Sequence, residues 1–235
     1  MSVRTWIGTS GYSYSEWKGS FYPEKMPAKE MLGYYASKFP TVEINNTFYR
    51  MPKEDVLQSW AVRVPERFSF ALKAPQRITH IQRLKDCRDL LRRFLAVASV
   101  LGPRLGPLLF QLPPNFKKDV PQLARFFDDL PERRRIAFEF RHASWFDDQV
   151  FEALRKEGAA LCVADTGEEP VAPLVATTDW GYLRLRREDF APKDLREWAR
   201  RIREQPWSEA WVFLKHEEEG RGPKLAAQLT KLLAE

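Results

Sequence analysis

Short runs rich in branched and aromatic residues alternate along this chain with longer segments whose apolar positions recur every three to four residues. The first pattern is that of a strand, the second that of a helix with one buried face. Strands are predicted at Val3 to Gly8, Thr41 to Asn45, Phe68 to Lys73, Pro107 to Leu112, Arg135 to Phe140, Ala159 to Ala164, Gly181 to Arg186 and Ala210 to Lys215. Helices are predicted at Ala28 to Lys38, Lys53 to Val62, Asp86 to Leu101, from a cap at Asp119 to near Pro131, Asp147 to Glu157, Pro192 to Glu204 and Gly222 to Ala234. Pro27 suits a helix start, while Gly102, Pro103 and Gly158 act as stops. One interval breaks the rhythm: DTGEEPVAPLVATTDW, after the sixth strand, carries two prolines and no helical period, so that repeat is degenerate.

Strand-helix alternation of this kind predicts an α/β fold, a single (β/α)8 TIM-type barrel occupying residues 1–235 as one domain, with the degenerate repeat between strands 6 and 7. At 235 residues the chain lies near the ~250 typical of such barrels. A doubly wound open sheet is the alternative architecture. No Gly/Ser-rich linker or low-complexity tract divides the chain.

Parity along the strands then sorts side chains into two faces. In TVEIN, Val42 and Ile44 face the helices, leaving Glu43 and Asn45 toward the barrel axis. By the same rule Lys73, Gln111, Glu139, Arg141, Arg184 and Arg186 point inward, and Asp165 lies just beyond the sixth strand. Polar groups thus gather at the carboxyl ends of the strands, the face on which barrel enzymes carry their sites. Glu43, Glu139 and Asp165 are the candidate catalytic carboxylates. An ion-pair network that merely fills the mouth is the competing reading, because buried charges must be paired.

Composition adds limits. The chain is 44% hydrophobic and 30% charged, ordinary for a soluble domain. It lacks an apolar run of membrane-spanning length and a signal-peptide core, and its expected compartment is the cytoplasm. Cys87 and Cys162 form no C-x-x-C pair and read as buried, reduced thiols. The net charge of +6 favours anionic partners.

Lys73, Arg77, Arg141, Arg184 and Arg186 suit a phosphate or carboxylate, and a small anionic molecule is the expected partner. Nucleic acid is the alternative, bound with help from Arg88, Arg92, Arg133 and Arg200. Against it, many arginines alternate with acids on helices, the pattern of a solvated face. A Glu43/Glu139 pair could also act as in glycosidases, or the mouth could sense a ligand without transforming it. Glu43, Glu139, Asp165 and His216 could converge on a metal, but with only His80, His142 and His216 in the chain a histidine-rich centre is not expected. No metal ligands are assigned and the cofactor is left open. Tyr12, Tyr14, Trp17, Phe48, Tyr49 and Trp145 are loop aromatics, read as lids packed on the core ahead of stacking platforms. GTSGYS is the nearest thing to a phosphate loop, though its glycines also suit a tight turn. The P-loop, dinucleotide, serine-hydrolase and zinc-protease signatures are missing.

The stretches GTSGYSYSEWKGSFYP, TVEINNTFYR, FALKAPQRITH, LLFQLPPNF, FEFRHASWF and CVADT together resemble the YecE-like family, the domain-of-unknown-function family 72. That resemblance covers nearly the whole chain and implies a β/α barrel without an established activity. Asn45, Tyr49, Lys73, Gln111, Arg141, His142, Trp145, Arg184, Arg186 and Lys215 are the expected ligand-binding residues. The sequence departs from the resemblance after the last two strands, where RLRRED and LKHEEEG replace an expected His-Gly and an Asn-Asn-Asp-like run. Lys215, His216 and Glu217 are therefore candidates peculiar to this chain.

Overall fold

The computed structural model describes residues 3–234. Eight parallel strands close in sequence order into a barrel: β1 Arg4–Ser10, β2 Thr41–Ile44, β3 Ser69–Lys73, β4 Leu105–Gln111, β5 Ile136–Glu139, β6 Ala160–Asp165, β7 Trp180–Leu185 and β8 Glu209–Leu214. Closure is made by β1 pairing with β8 from Arg4↔Glu209 to Thr9↔Leu214. The surrounding helices are α1 Ala28–Lys38, the short α2 Asn46–Tyr49, α3 Glu54–Ala61, α4 Arg88–Ala98, α5 Val120–Asp128, α6 Asp148–Glu157, α7 Pro192–Arg203 and α8 Arg221–Ala234. Among the described residues no helix joins β6 to β7, so the repeat without a helical period is the degenerate one.

Local chemistry sets the helix ends. Asp119 and Asp147 accept from the backbone N–H groups of Gln122 and Gln149, and Gly158 closes α6 in the left-handed region that costs glycine little. The segment expected as one helix from Asp86 to Leu101 ends at Ala98, and a tight turn through Gly102 (φ 56°) redirects the chain into β4.

Two apolar layers hold the barrel. The larger lies between sheet and helices, where Val42, Phe70, Phe110, Phe138 and Leu183 meet the helix faces. The smaller fills the barrel interior with Ala71, Leu109, Ala137, Cys162, Tyr182, Trp211 and Phe213. Stepping two residues toward the carboxyl end on β3, β4, β5 and β7 carries this inner face from Ala71, Leu109, Ala137 and Tyr182 to Lys73, Gln111, Glu139 and Arg184. The inner face therefore changes from apolar to charged within one step of the pleat.

Candidate ligand site at the barrel mouth

The deepest polar layer is built on Arg184, which is 0% exposed. Its guanidinium donates through Nη2 to Glu43 Oε1 at 2.8 Å and through Nη1 to Glu139 Oε2. Glu43 also accepts from Ser10 Oγ at 2.7 Å, Asn45 Nδ2 at 3.1 Å and Tyr182 Oη at 2.7 Å. Glu139 accepts from Gln111 Nε2 at 2.6 Å and Arg141 Nε at 2.7 Å. Burial by itself would raise both carboxyls, but the Arg184 charge and these donors outweigh it and hold both below their ordinary value. Arg184 is held well above its own, because the two carboxylates outweigh its burial.

Lys73 stands beside this layer on different terms. Its Nζ donates to Gln111 Oε1 at 2.6 Å and lies 3.8 Å from the centroid of the Phe48 ring. Among the described residues it has no carboxylate within salt-bridge distance; Gln111 stands between it and Glu139. Burial, followed by the Arg184 charge, lowers the Lys73 ammonium from 10.5 to about 8. The neighbouring His80, edge-on to Phe48, is also lowered, by burial and then by Lys73.

Above the layer a cleft of ≈ 960 Å³ opens between the ends of β5 to β8, lined by Arg141, Thr166, Arg186, Lys215, Glu217 and neighbours. Arg186 carries no ion pair or side-chain hydrogen bond among the described residues, and burial followed by the Arg184 charge lowers it below its ordinary value. Arg141 uses Nε on Glu139 and keeps 35% of its side chain exposed. Lys215 pairs with Glu217 at 3.2 Å. Arg187 is tied to Asp189 and Asp194, each at 2.8 Å, and its carbonyl accepts from His216 Nε2 at 2.6 Å, which pins the β7 loop to the β8 loop.

The sequence and the barrel fold both have counterparts among known proteins. The profile of the family described as "Protein of unknown function DUF72" matches residues 6–235. The chain belongs to the DUF72 family. Over 113 residues it is 38% identical to the UPF0759 protein YecE of Escherichia coli K12, a match covering 48% of this chain and 42% of that protein. It therefore spans less than half the length of that relative. The UPF0759 protein YunF of Bacillus subtilis is 28% identical, with 91% of this chain and 79% of that protein covered. Among solved structures, a DUF72 family protein of Thermotoga maritima superposes with a TM-score of 0.88 at 28% identity, covering 99% of this chain and 100% of that one. A D-psicose 3-epimerase, at 12% identity and a TM-score of 0.56 over 97% of each chain, shares the fold alone.

Within this DUF72 protein the structure brings together Glu43, Asn45, Lys73, Gln111, Glu139, Arg141 and Arg184, and it adds Ser10 and Tyr182, which strand reading omitted. It does not bring in Asp165. That residue is the last of β6, and its Oδ2 accepts from the Trp198 indole of α7 at 2.9 Å, on the helix side of the sheet. Trp145 is fully buried, stacked on Phe140 at 4.6 Å, with its N–H on the Phe116 carbonyl, so it offers a ligand no face. His142 caps the turn after β5 by accepting from the Ser144 N–H at 3.1 Å. Tyr49 is 72% exposed, outside the buried layer, and is the exception among the loop aromatics. Trp17 and Phe48 pack as lids, while Tyr12 and Tyr14 are partly buried against the core.

Other candidates separate in space. Glu43 and Glu139 are bound up with Arg184, Asp165 faces α7 and His216 holds the β7 loop; among the described residues no group of three or more His, Cys, Asp or Glu side chains is placed to hold a metal. Gly8 owes its place to packing, since a Cβ there would lie 2.1 Å from the Thr41 carbonyl oxygen. Gly11 turns the loop at φ 89°, and the Tyr14 hydroxyl caps it by donating to the Ser10 carbonyl at 2.7 Å. Cys87 and Cys162 are free and buried, and burial raises both thiols. No helix among the described residues is long and apolar enough to cross a membrane.

Proposed function

We propose that this protein takes a small phosphorylated or carboxylated ligand in the barrel mouth, with Arg141 and Arg186 holding the anion and Lys73 as the group that exchanges a proton. The observation that carries this reading is an imbalance. Both inner carboxylates are consumed by Arg184, while Lys73 and Arg186 have no carboxylate partner among the described residues. A guanidinium without a partner, lining an open cleft, is met best by an anion from solution. Lys215 is held by Glu217 at the rim and would complete the socket by exchanging that partner for the ligand.

Acid-base work falls to Lys73 because its proton leaves near neutral pH, where a general acid or base is most effective. A carboxylate-pair hydrolase needs one carboxyl that carries a proton. Glu43 and Glu139 are both held ionised by Arg184, which favours an orienting role for them.

Nucleic acid is the weaker reading because the outlying arginines do not share one face. Arg88 pairs with Asp129 and Arg200 with Glu197 and Glu204, while Arg133 lines a cleft with Arg4 and Trp6 at the amino-terminal ends of the strands. Action in the cytoplasm is part of the proposal, in keeping with two free thiols.

Calorimetric titration with inorganic phosphate, citrate and sugar phosphates tests the reading. Binding that is lost in Arg186→Gln and weakened by salt supports it; binding unaffected by Arg186→Gln and Arg141→Gln refutes it.

A further inference from the structure

The nucleophilic character of Lys73 is not used by proton exchange alone. We propose that Lys73 Nζ captures the carbonyl carbon of a small anionic aldehyde or ketone as an imine in the barrel mouth. This rests on the anion-binding reading above and adds to it the substrate class and a covalent step.

The surroundings of Lys73 differ from those of a lysine kept for structure. Such a lysine ends on a carboxylate, which fixes its charge. Here the side chain is 9% exposed, its polar partner is the neutral Gln111 oxygen at 2.6 Å, and an aromatic ring covers another side at 3.8 Å. Glu139 is in the same layer but separated from Lys73 by Gln111, which gives it an N–H, while Arg141 and Arg184 also donate to it. Desolvation together with nearby guanidinium charge favours the neutral amine, the form that carries a lone pair.

Gln111 also orients that amine. Its Nε2 is fixed on Glu139, so its Oε1 is the atom left to face Lys73. With Gln111 Oε1 at 2.6 Å and the Phe48 ring at 3.8 Å on two sides, the neutral amine keeps another side for its lone pair.

The anion requirement follows from strand parity. Arg141 and Arg186 lie one inward step beyond Glu139 and Arg184, at the level where the cleft opens. Lys73 does not line that cleft but lies within electrostatic reach of Arg186, so a carboxylate or phosphate held there must extend an adjacent carbonyl down to the charged layer, in which Lys73 is the one amine among the described residues.

The step balances without a co-reactant. The amine nitrogen adds to the carbonyl carbon, the C=O π pair moves to oxygen, and a proton passes from nitrogen to that oxygen. The carbinolamine then loses its hydroxyl and the remaining N–H proton as water, leaving the C=N bond. Nothing is oxidised or reduced.

The test is reductive trapping on the full chain. Protein at pH about 8 is incubated separately with glyoxylate, pyruvate, dihydroxyacetone phosphate and ribose 5-phosphate, or with the neutral carbonyls propionaldehyde and acetone. Sodium borohydride reduces any imine, and peptide mass spectrometry locates it. The expected result is a secondary-amine adduct at Lys73 with at least one anionic carbonyl, about tenfold or more above the average of the other lysines. Inorganic phosphate should suppress the adduct, and neutral carbonyls should give little. An adduct spread evenly over surface lysines, or none at Lys73 with any anionic probe, overturns the imine. If phosphate still binds through Arg186 in that case, anion binding stands and the imine alone has failed. Equal labelling of Lys73 by neutral and anionic carbonyls overturns the assigned substrate class.

Discussion

Two polar regions sit one pleat step apart in this barrel and obey different rules. In the lower layer Arg184 meets two carboxylates, and each carboxylate collects further donors from Ser10, Asn45, Gln111, Arg141 or Tyr182. At the mouth Arg186 has no carboxylate partner among the described residues, and neither has Lys73 at the edge of the layer below, although acidic residues are plentiful along the rim. A closed set of partners makes a rigid floor; a charged group without a partner is free to meet an anion from solution. On the proposed reading, buried charge alone does not mark the reactive group. The carboxylates that look most like catalysts are the most completely occupied, and the group left free to change protonation is a lysine.

The contrast is most strongly tested at its centre. Arg184→Met leaves Glu43 and Glu139 buried without their counter-charge, and it should cost about 3–5 kcal/mol or more, read as a large fall in the urea midpoint. An unchanged midpoint would mean that the floor is not held by this ion pair. Glu139→Gln should cost less, about 1–3 kcal/mol, because Glu43 still balances Arg184 while Gln111 and Arg141 lose an ionised acceptor. If Glu139→Gln melted like the parent while a discovered activity vanished, Glu139 would be a working carboxylate and the division drawn here would be misplaced.

Much of the floor was legible in the sequence, because parity alone turns Glu43, Asn45, Lys73, Gln111, Glu139 and Arg184 inward once the strands are found. What failed, failed at strand ends. Ending β1 at Gly8 hid Ser10, whereas the strand runs to Ser10 and places its hydroxyl on Glu43. Treating Asp165 as a loop residue beyond β6 lost its parity; as the final strand residue it alternates with Ala164 and faces α7. Tyr182 was readable, two positions before Arg184 in GYLRLR, but its pairing with Glu43 crosses the barrel over 139 positions of sequence. Trp145, read from HASWF both as a packed lid and as a ligand contact, is the lid, covered by Phe116 and Phe140 with its N–H on the Phe116 carbonyl. Partner assignments of this kind depend on register and closure, which no local pattern contains.

Lys73 offers a smaller effect with a definite sign. In the folded protein its proton leaves near pH 8, whereas in the unfolded chain it is kept to about 10.5. Between those values unfolding takes up a proton, so this residue makes stability rise with pH, by on the order of 1–2 kcal/mol. Lys73→Met should flatten that rise in urea titrations across the window. A slope unchanged by the substitution would mean that Lys73 stays charged when folded, which would undercut both proton exchange and imine formation.

The central claim is that the barrel mouth binds an anion through Arg186, and isothermal titration of the parent and Arg186→Gln with a sugar phosphate tests it most directly. The account predicts saturable binding to the parent that weakens as salt is raised, and at least about a tenfold loss in Arg186→Gln, equivalent to ~1.4 kcal/mol. Equal affinity in the two proteins, or affinity indifferent to salt, would contradict it.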